Sequence, residues 1–428
     1  MNSGSICFIL ICSALVLLMT PALAFFYGGL VRRKNVINTM MATMFIVGTA
    51  MVMWILFGYS LSFGSDVGGL VGGFDFLGFN NVSINESTRG LEIPDMLFAA
   101  FQMMFAVITP ALITGAVAGR MKFKALVPFI ILWTIVVYYP MAHMVWGGGF
   151  MGSAAEGGSG LFGTGLYLNS VDFAGGNVVH ISSGITGLVL AILLGKRRGY
   201  ERRSYEPHNI PFVLLGAALL LFGWFGFNAG SALSANGIAV HAFITTAVSA
   251  AAALISWMVI DIIKTGKPTL VGASTGLVVG LVAITPGAGF VPVWAAIIIG
   301  LLVSPICYFG VHLVKKVFKI DDALDAFGCH GIGGIWGGLA TGIFGTMTIE
   351  GNATGAQFEG LVFGDYRLFL AQLESIIITI AIAVVGTLIC YGIVRLFTKT
   401  RVSEMEERIG LDATQHGERA YPSFDGLD

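Results

Sequence analysis

Two pairs of ionisable residues repeat one spacing: Asp172 precedes His180 by eight positions, and Asp322 precedes His330 by eight. Both run through Gly-rich, apolar sequence, Asp172-Phe173-Ala174-Gly175-Gly176 before His180 and Ala326-Phe327-Gly328-Cys329 before His330-Gly331. A neutral imidazole carries one donor and one acceptor, so two in contact can share a proton. An aspartate at a helix start accepts free backbone N–H groups and meets the positive end of the helix dipole. For Asp172 and Asp322 that capping role weighs at least as much as contact with a cation. A lone histidine in an apolar helix is more often a satisfied packing residue than a ligand, but two with mirrored partners point to function. His143 and His208 lie at segment edges or loops, His241 and His312 lack a mirrored partner, and His416 is in the tail, so none is assigned chemistry.

The elements that hold these residues follow from composition. The 428 residues are 56% hydrophobic and 11% charged, where a soluble domain carries about 25% charged residues. So few charges cannot solvate a surface of this size, whereas lipid can cover it. The 59 glycines suit helices that approach closely in a membrane bundle. A net charge of -1 gives no pointer to nucleic acid. Cys7, Cys12, Cys307, Cys329 and Cys390 all lie in apolar stretches without CxxC pairs or histidines at metal spacing, and read as small core residues. No cofactor, metal site or catalytic group is expected, and the chain does not read as an enzyme.

A helix needs about 20 apolar residues to span the hydrocarbon core. Eleven runs qualify, at 6–30, 36–62, 94–118, 125–142, 173–195, 210–229, 238–263, 269–285, 291–314, 326–346 and 368–397. The eighth is the shortest. The first is too long in its apolar part for a cleaved signal peptide and reads as a retained helix. Of the 23 Lys and Arg residues, 21 fall in the connections after runs 1, 3, 5, 7 and 9 or in the region closing run 11. Arg202 and Arg203 are among them; the other side receives only Arg89 and Arg367. The positive-inside rule then makes those connections cytoplasmic and the N-terminus external, in a multi-pass protein of the cell membrane. Residues 1–398 form a transmembrane domain and 399–428 a cytoplasmic tail, which reads either as a disordered solvated end or as a docking element.

Run 5 crosses inward and run 10 outward, so runs 1–5 and 6–10 form an inverted repeat followed by a last helix. The first repeat covers about 6–195 and the second about 210–346. In such folds the substrate path lies at the repeat interface near the midplane. Eight helical residues rise about 12 Å. In a core about 30 Å thick, the two histidines then differ in depth by roughly 6 Å, close enough for their rings to meet.

These residues sit in motifs that closely resemble the ammonium transporter (Amt/Mep/Rh) family, in its bacterial and archaeal Amt branch, from about Ala14 to Tyr421. The motifs are Phe25-Phe26-Tyr27-Gly28-Gly29-Leu30-Val31-Arg32-Arg33-Lys34-Asn35, Ala142-His143-Met144-Val145-Trp146-Gly147-Gly148-Gly149 and Asp172 to His180. Gly223-Trp224-Phe225-Gly226-Phe227-Asn228-Ala229-Gly230-Ser231, Asp325 to Gly331 and the tail Gly410 to Glu418 complete them. The resemblance implies a homotrimer of eleven-helix protomers, each with its own pore. It implies an outer cation site of Trp146, Phe105 and Ser231 with Phe101 beside it, Phe105 and Phe227 as stacked rings closing the vestibule, and His180 and His330 as twin pore histidines. It also implies a tail against which PII-type signalling proteins close the pore. Two departures stand out: Gly119 occupies a position where the bacterial pattern often has an acid, and the external segment 151–170 is long.

Ammonium has four N–H donors. Aromatic faces attract such a cation by about 0.5–2 kcal/mol each, and the Ser231 hydroxyl can accept a hydrogen bond. Methylammonium fits the same logic; sodium cannot donate. The ordinary alternative for each aromatic is packing or an interfacial belt, although the three glycines after Trp146 open space around it. A narrow apolar channel resists an intact ion, and the sequence leaves open neutral ammonia, the intact cation or a split route. Two readings from other classes remain: a bis-histidine haem cytochrome, which a visible spectrum would reveal, and an ammonium sensor, which a long appended signalling domain would favour.

Overall fold

The computed structural model describes residues 1–153, 158–200 and 206–421. Arg202, Arg203, residues 154–157 of the external segment and residues 422–428 of the tail lie outside the described residues. The helices are α1 (Ser3–Leu30), α2 (Arg33–Phe63), α3 (Asp95–Val117), α4 (Phe123–Trp146), α5 (Gly176–Leu194), α6 (Ile210–Gly230), α7 (Gly237–Thr265), α8 (Leu270–Ile284), α9 (Val293–Val317), α10 (Gly333–Phe344) and α11 (Arg367–Phe397). All but α8 and α10, nine among the described residues, are long and apolar enough to cross a membrane. The π-type turn Phe327–Ile332 leads directly into α10, and the matching turn Gly176–Ile181 opens α5. A short α12 (Glu404–Ile409) lies in the tail.

With the Phe327–Ile332 turn counted together with α10, the apolar runs and the helices agree to within four residues at every end, because polar residues mark the ends physically. Asn2, Asn209 and Asn236 cap α1, α6 and α7 by accepting the backbone N–H of Gly4, Phe212 and Ala239 at 2.8, 3.0 and 3.0 Å. The largest difference is at α4, expected to stop at 142 but running to Trp146. His143 interrupts the apolar pattern there, yet its ring is satisfied inside the fold by Ser62 O and Asp66 Oδ1, each at 3.1 Å. One expectation fails: Cys7 is exposed on the flank of α1 rather than in the core, since that flank faces away from the bundle, while the other four cysteines are buried.

Small residues let helices close on one another. A Cβ at Gly223 of α6 would stand 2.2 Å from Met19 Cγ on α1. At the centre, a Cβ at Gly184 of α5 would stand 2.2 Å from the backbone N of Gly331, so the two histidine-bearing segments touch main chain to main chain. The largest buried apolar cluster runs along α1, α3, α4 and α6; a second lies among α7, α8, α9 and α10.

At one end sit two hairpins, β1 (Asp66–Val67) with β2 (Val71–Gly72) and β3 (Thr348–Ile349) with β4 (Asn352–Ala353). At the opposite end the basic connections meet the tail. Lys34 Nζ donates to the carbonyls of Glu407 and Arg408, Asn38 N to Asp412 at 2.8 Å, and Arg401 to the carbonyls of Leu194 and Lys196. Ser403 and Glu406 close a capping box on α12. The described part of the tail, to Tyr421, is therefore folded onto the bundle, and the reading of it as a disordered end is overturned there. Gly119, the departure from the family pattern, turns the chain after α3 at φ +76, a conformation in which an acidic side chain would be strained. Asp321 ties the basic connections together: Arg197 donates to it from Nε at 2.8 Å and Nη2 at 2.7 Å, and buried Arg120 lies beside it. Burial raises the Asp321 carboxyl, but Arg197 and Arg120 outweigh this and hold it below the usual carboxylate range.

Candidate functional site

Three helices bring the aromatic residues together. Phe101 and Phe105 are one turn apart on α3, and their rings meet edge to face at 5.1 Å. Phe105 lies 4.4 Å from Phe227 of α6 at 42° and 5.8 Å, edge to face, from Trp146 at the end of α4. Phe101, Phe105 and Phe227 are buried. Ser231, one turn beyond Phe227, donates its hydroxyl to the Phe227 carbonyl at 2.9 Å, which leaves its lone pairs free to accept. The Trp146 indole N–H is engaged by the carbonyl of Asp172 at 2.8 Å. Phe105, Trp146 and Ser231 line a vestibule of about 630 Å³ at the hairpin end, which Asp66, Arg89 and Gln102 also border.

Beneath Phe105 and Phe227 the file of rings continues. His180 is parallel to Phe227 at 6.2 Å, to Trp224 at 5.5 Å and to His330 at 5.3 Å, all within about 22°. The Nδ1 atoms of His180 and His330 are 3.3 Å apart, within hydrogen-bond reach when one ring donates and the other accepts. His180 Nε2 is buried with no protein partner among the described residues. Both rings border a narrow cavity of about 20 Å³ otherwise walled by residues such as Leu23, Ile108, Leu112, Leu220 and Val278. Such spacing leaves no room for a haem macrocycle between the imidazoles.

The two aspartates do the same job at the two ends. Asp172 accepts the backbone N–H of Gly175, Gly176, Asn177 and Val178 at 2.5–3.2 Å. Asp322 accepts those of Ala326, Phe327 and Gly328 at 2.8–3.3 Å. A π-type turn exposes more unpaired N–H groups than an α-helical start, so each carboxylate holds the turn that carries its histidine. The structure thus brings Phe105, Trp146 and Ser231 to the vestibule and Phe227, His180 and His330 to the cavity, sets Phe101 against Phe105, and leaves Asp172 and Asp322 as caps of the turns.

Sequence reasoning missed two participants. Trp224, which stacks on His180 and donates to Thr285 Oγ1 at 2.9 Å, was visible as the residue one turn before Phe227 in the Gly223–Ser231 motif. His143 was set aside as an edge residue, and its partner Asp66 left no local signal, being 77 positions away.

The model of the Ammonium Transporter Family matches residues 7–421. The ammonium transporter of Bacillus subtilis is 47% identical over 98% of this chain and 99% of its own length, and ammonium transporter Amt1 of Archaeoglobus fulgidus is 44% identical over 98% and 100%. Among solved structures, Saccharomyces cerevisiae Mep2 superposes with a TM-score of 0.87 at 36% identity, covering 100% of this chain and 93% of that one. From the sequence, the helices and these relatives, the chain belongs to the ammonium transporter family: a multi-pass helical membrane protein that transports ammonium and is not an enzyme.

Proposed function

We propose that ammonium is recruited at Trp146, Phe105, Ser231 and Phe101, passes the Phe105–Phe227 ring pair, and is conducted as ammonia or ammonium along a pore lined by His180 and His330. The observation that carries this reading is the unbroken file of rings from Trp146 to His330. The vestibule offers aromatic faces and a hydroxyl acceptor to a cation with N–H donors. The narrow cavity beyond is apolar, so a bare alkali ion entering it loses its water without replacement. The histidine pair is a polar feature of that cavity, which Asp325 also borders, able to accept from an amine at one nitrogen while donating at another.

Counting α8 and the Phe327–Phe344 segment as spans gives eleven, with runs 1–5 and 6–10 inverted and α11 last. The basic connections put the N-terminus outside the cell membrane and the tail, 399–428, in the cytoplasm. By resemblance to the family, three protomers assemble, methylammonium shares the path, and the tail receives a PII-type protein. The folding of residues 399–421 onto the basic connections supports a regulatory element there. Purified protein in liposomes is expected to carry ammonium and methylammonium but not potassium at comparable rates; equal potassium flux overturns the reading.

A further inference from the structure

His143 is wholly buried on the final turn of α4, one turn before Trp146. Its backbone carbonyl accepts from Gly147 N at 2.9 Å and Gly149 N at 3.0 Å, which sets the path of the chain leaving Trp146. Its ring bridges two other elements: Nδ1 is 3.1 Å from the Ser62 carbonyl at the end of α2, and Nε2 is 3.1 Å from Asp66 Oδ1 in the β1–β2 hairpin. Both ring nitrogens face acceptors, so each N–H that the ring carries has a partner. Asp66 also accepts from Gly69 N at 2.7 Å, from Ser159 N at 2.9 Å and from the Ser159 hydroxyl. Burial raises the Asp66 carboxyl, but the hydrogen bonds from Ser159, His143 and Gly69 hold it below the usual carboxylate range, so the anchor stays anionic at neutral pH. There is no slack at the contact: a Cβ at Gly147 would stand 2.1 Å from Ser62 O and 2.8 Å from His143 Nδ1.

We propose that His143 and Asp66 are positioning residues of the outer cation site, clamping the last turn of α4 so that Trp146 is held against Phe105 for ammonium. The inference rests on the reading of Trp146 as part of that site. Four segments converge on this pair: the end of α2, the hairpin, the Ser159 loop and the end of α4. The carboxylate is saturated by protein donors, so it acts on the substrate through geometry and not as a direct ligand. Positioning groups of this kind act on binding, because a displaced aromatic face loses a cation attraction that depends on distance.

Methylammonium uptake into proteoliposomes tests this with Trp146→Leu, Asp66→Ala, His143→Ala, the double Asp66→Ala/His143→Ala variant and His143→Gln. Asp66→Ala and His143→Ala are each expected to raise KM about three- to tenfold, with kcat per folded protomer within about twofold of the parent. The double variant is expected to match the larger single effect, since both break one clamp. His143→Gln keeps one donor and is expected to recover part of the loss. Ser159→Ala removes only an exposed hydroxyl from Asp66 and keeps the test available if His143→Ala does not fold; it is expected to raise KM about twofold. If Trp146→Leu raises KM but Asp66→Ala and Ser159→Ala do not, the clamp is overturned and the outer site stands. Multiplying effects in the double variant also overturn the clamp. If Trp146→Leu leaves KM unchanged, the outer site itself is overturned, and the clamp with it.

Discussion

His180 and His330 meet through their Nδ1 atoms, 3.3 Å apart on rings tilted by 22°. In that arrangement one ring donates and the other accepts, and exchanging tautomers reverses the pair. A carboxylate in either place attracts a cation and breaks the exchange. His180→Asp and His330→Glu are expected to raise potassium permeability relative to ammonium by about tenfold or more, a change of about 1.4 kcal/mol in barrier. Currents across supported membranes read this; ion preference unchanged in both variants would mean that the histidines only pack.

The vestibule predicts a different signature. Trp146→Leu and Ser231→Ala are expected to raise KM by about two- to thirtyfold, the equivalent of one lost cation–aromatic or hydrogen-bond contact of about 0.5–2 kcal/mol. The maximal rate should move less. Uptake kinetics that match the parent in both variants place cation selection elsewhere.

Asp172 and Asp322 should behave as caps. Asp172→Ala leaves four N–H groups of the Gly176–Ile181 turn without their acceptor, and is expected to cost about 2–3 kcal/mol of stability. Asp322→Ala should cost somewhat less, with three such bonds. Thermal unfolding in detergent measures both. Normal melting together with weakened substrate affinity would favour direct cation contact instead.

Acid should loosen the basic end. The Asp321 carboxyl lies below the usual carboxylate range, because Arg197 and Arg120 outweigh its burial. Its contribution is therefore complete above the ordinary value of about 3.9 and is lost as pH falls through the lower folded value. Amide protection at Arg197, whose N–H donates to Asp321, is expected to hold down to about pH 4 and to fall below it. Asp321→Asn should remove that acid step.

The tail offers the fifth test. Truncation after Arg401 removes the contacts of Glu407, Arg408 and Asp412 with Lys34, Arg198 and Asn38. Co-purification with a PII-type protein is expected to be lost, while ammonium uptake in liposomes persists. Retained co-purification would put that partner's docking surface on the connections alone.

What was legible in the chain was whatever a membrane imposes on sequence. Apolar length marks the helices, basic residues mark one side, and the repeated Asp–His spacing reflects two capped turns carrying two rings. The turns themselves were not legible, because a π-type turn differs from an α-helical one by a single residue and has no hydrophobic period of its own. Contacts made across long separations were hidden as well. His143 reads as a stray polar residue until Asp66 is beside it, and Cys7 reads as core until α1 is seen to turn that flank outward. The tail looked solvated because its partners, Lys34, Asn38 and Arg198, lie hundreds of positions earlier.

The close approach of Gly184 to Gly331 carries a mechanical consequence. Two repeats that rock against each other to expose a site alternately need an interface that can slide. At this one point the segments meet bare backbone against bare backbone, with no gap to take up motion. It works as a stop. Turnover is then expected to proceed without a large rigid-body swing, and its temperature dependence should be shallow, set by desolvation and passage of the substrate.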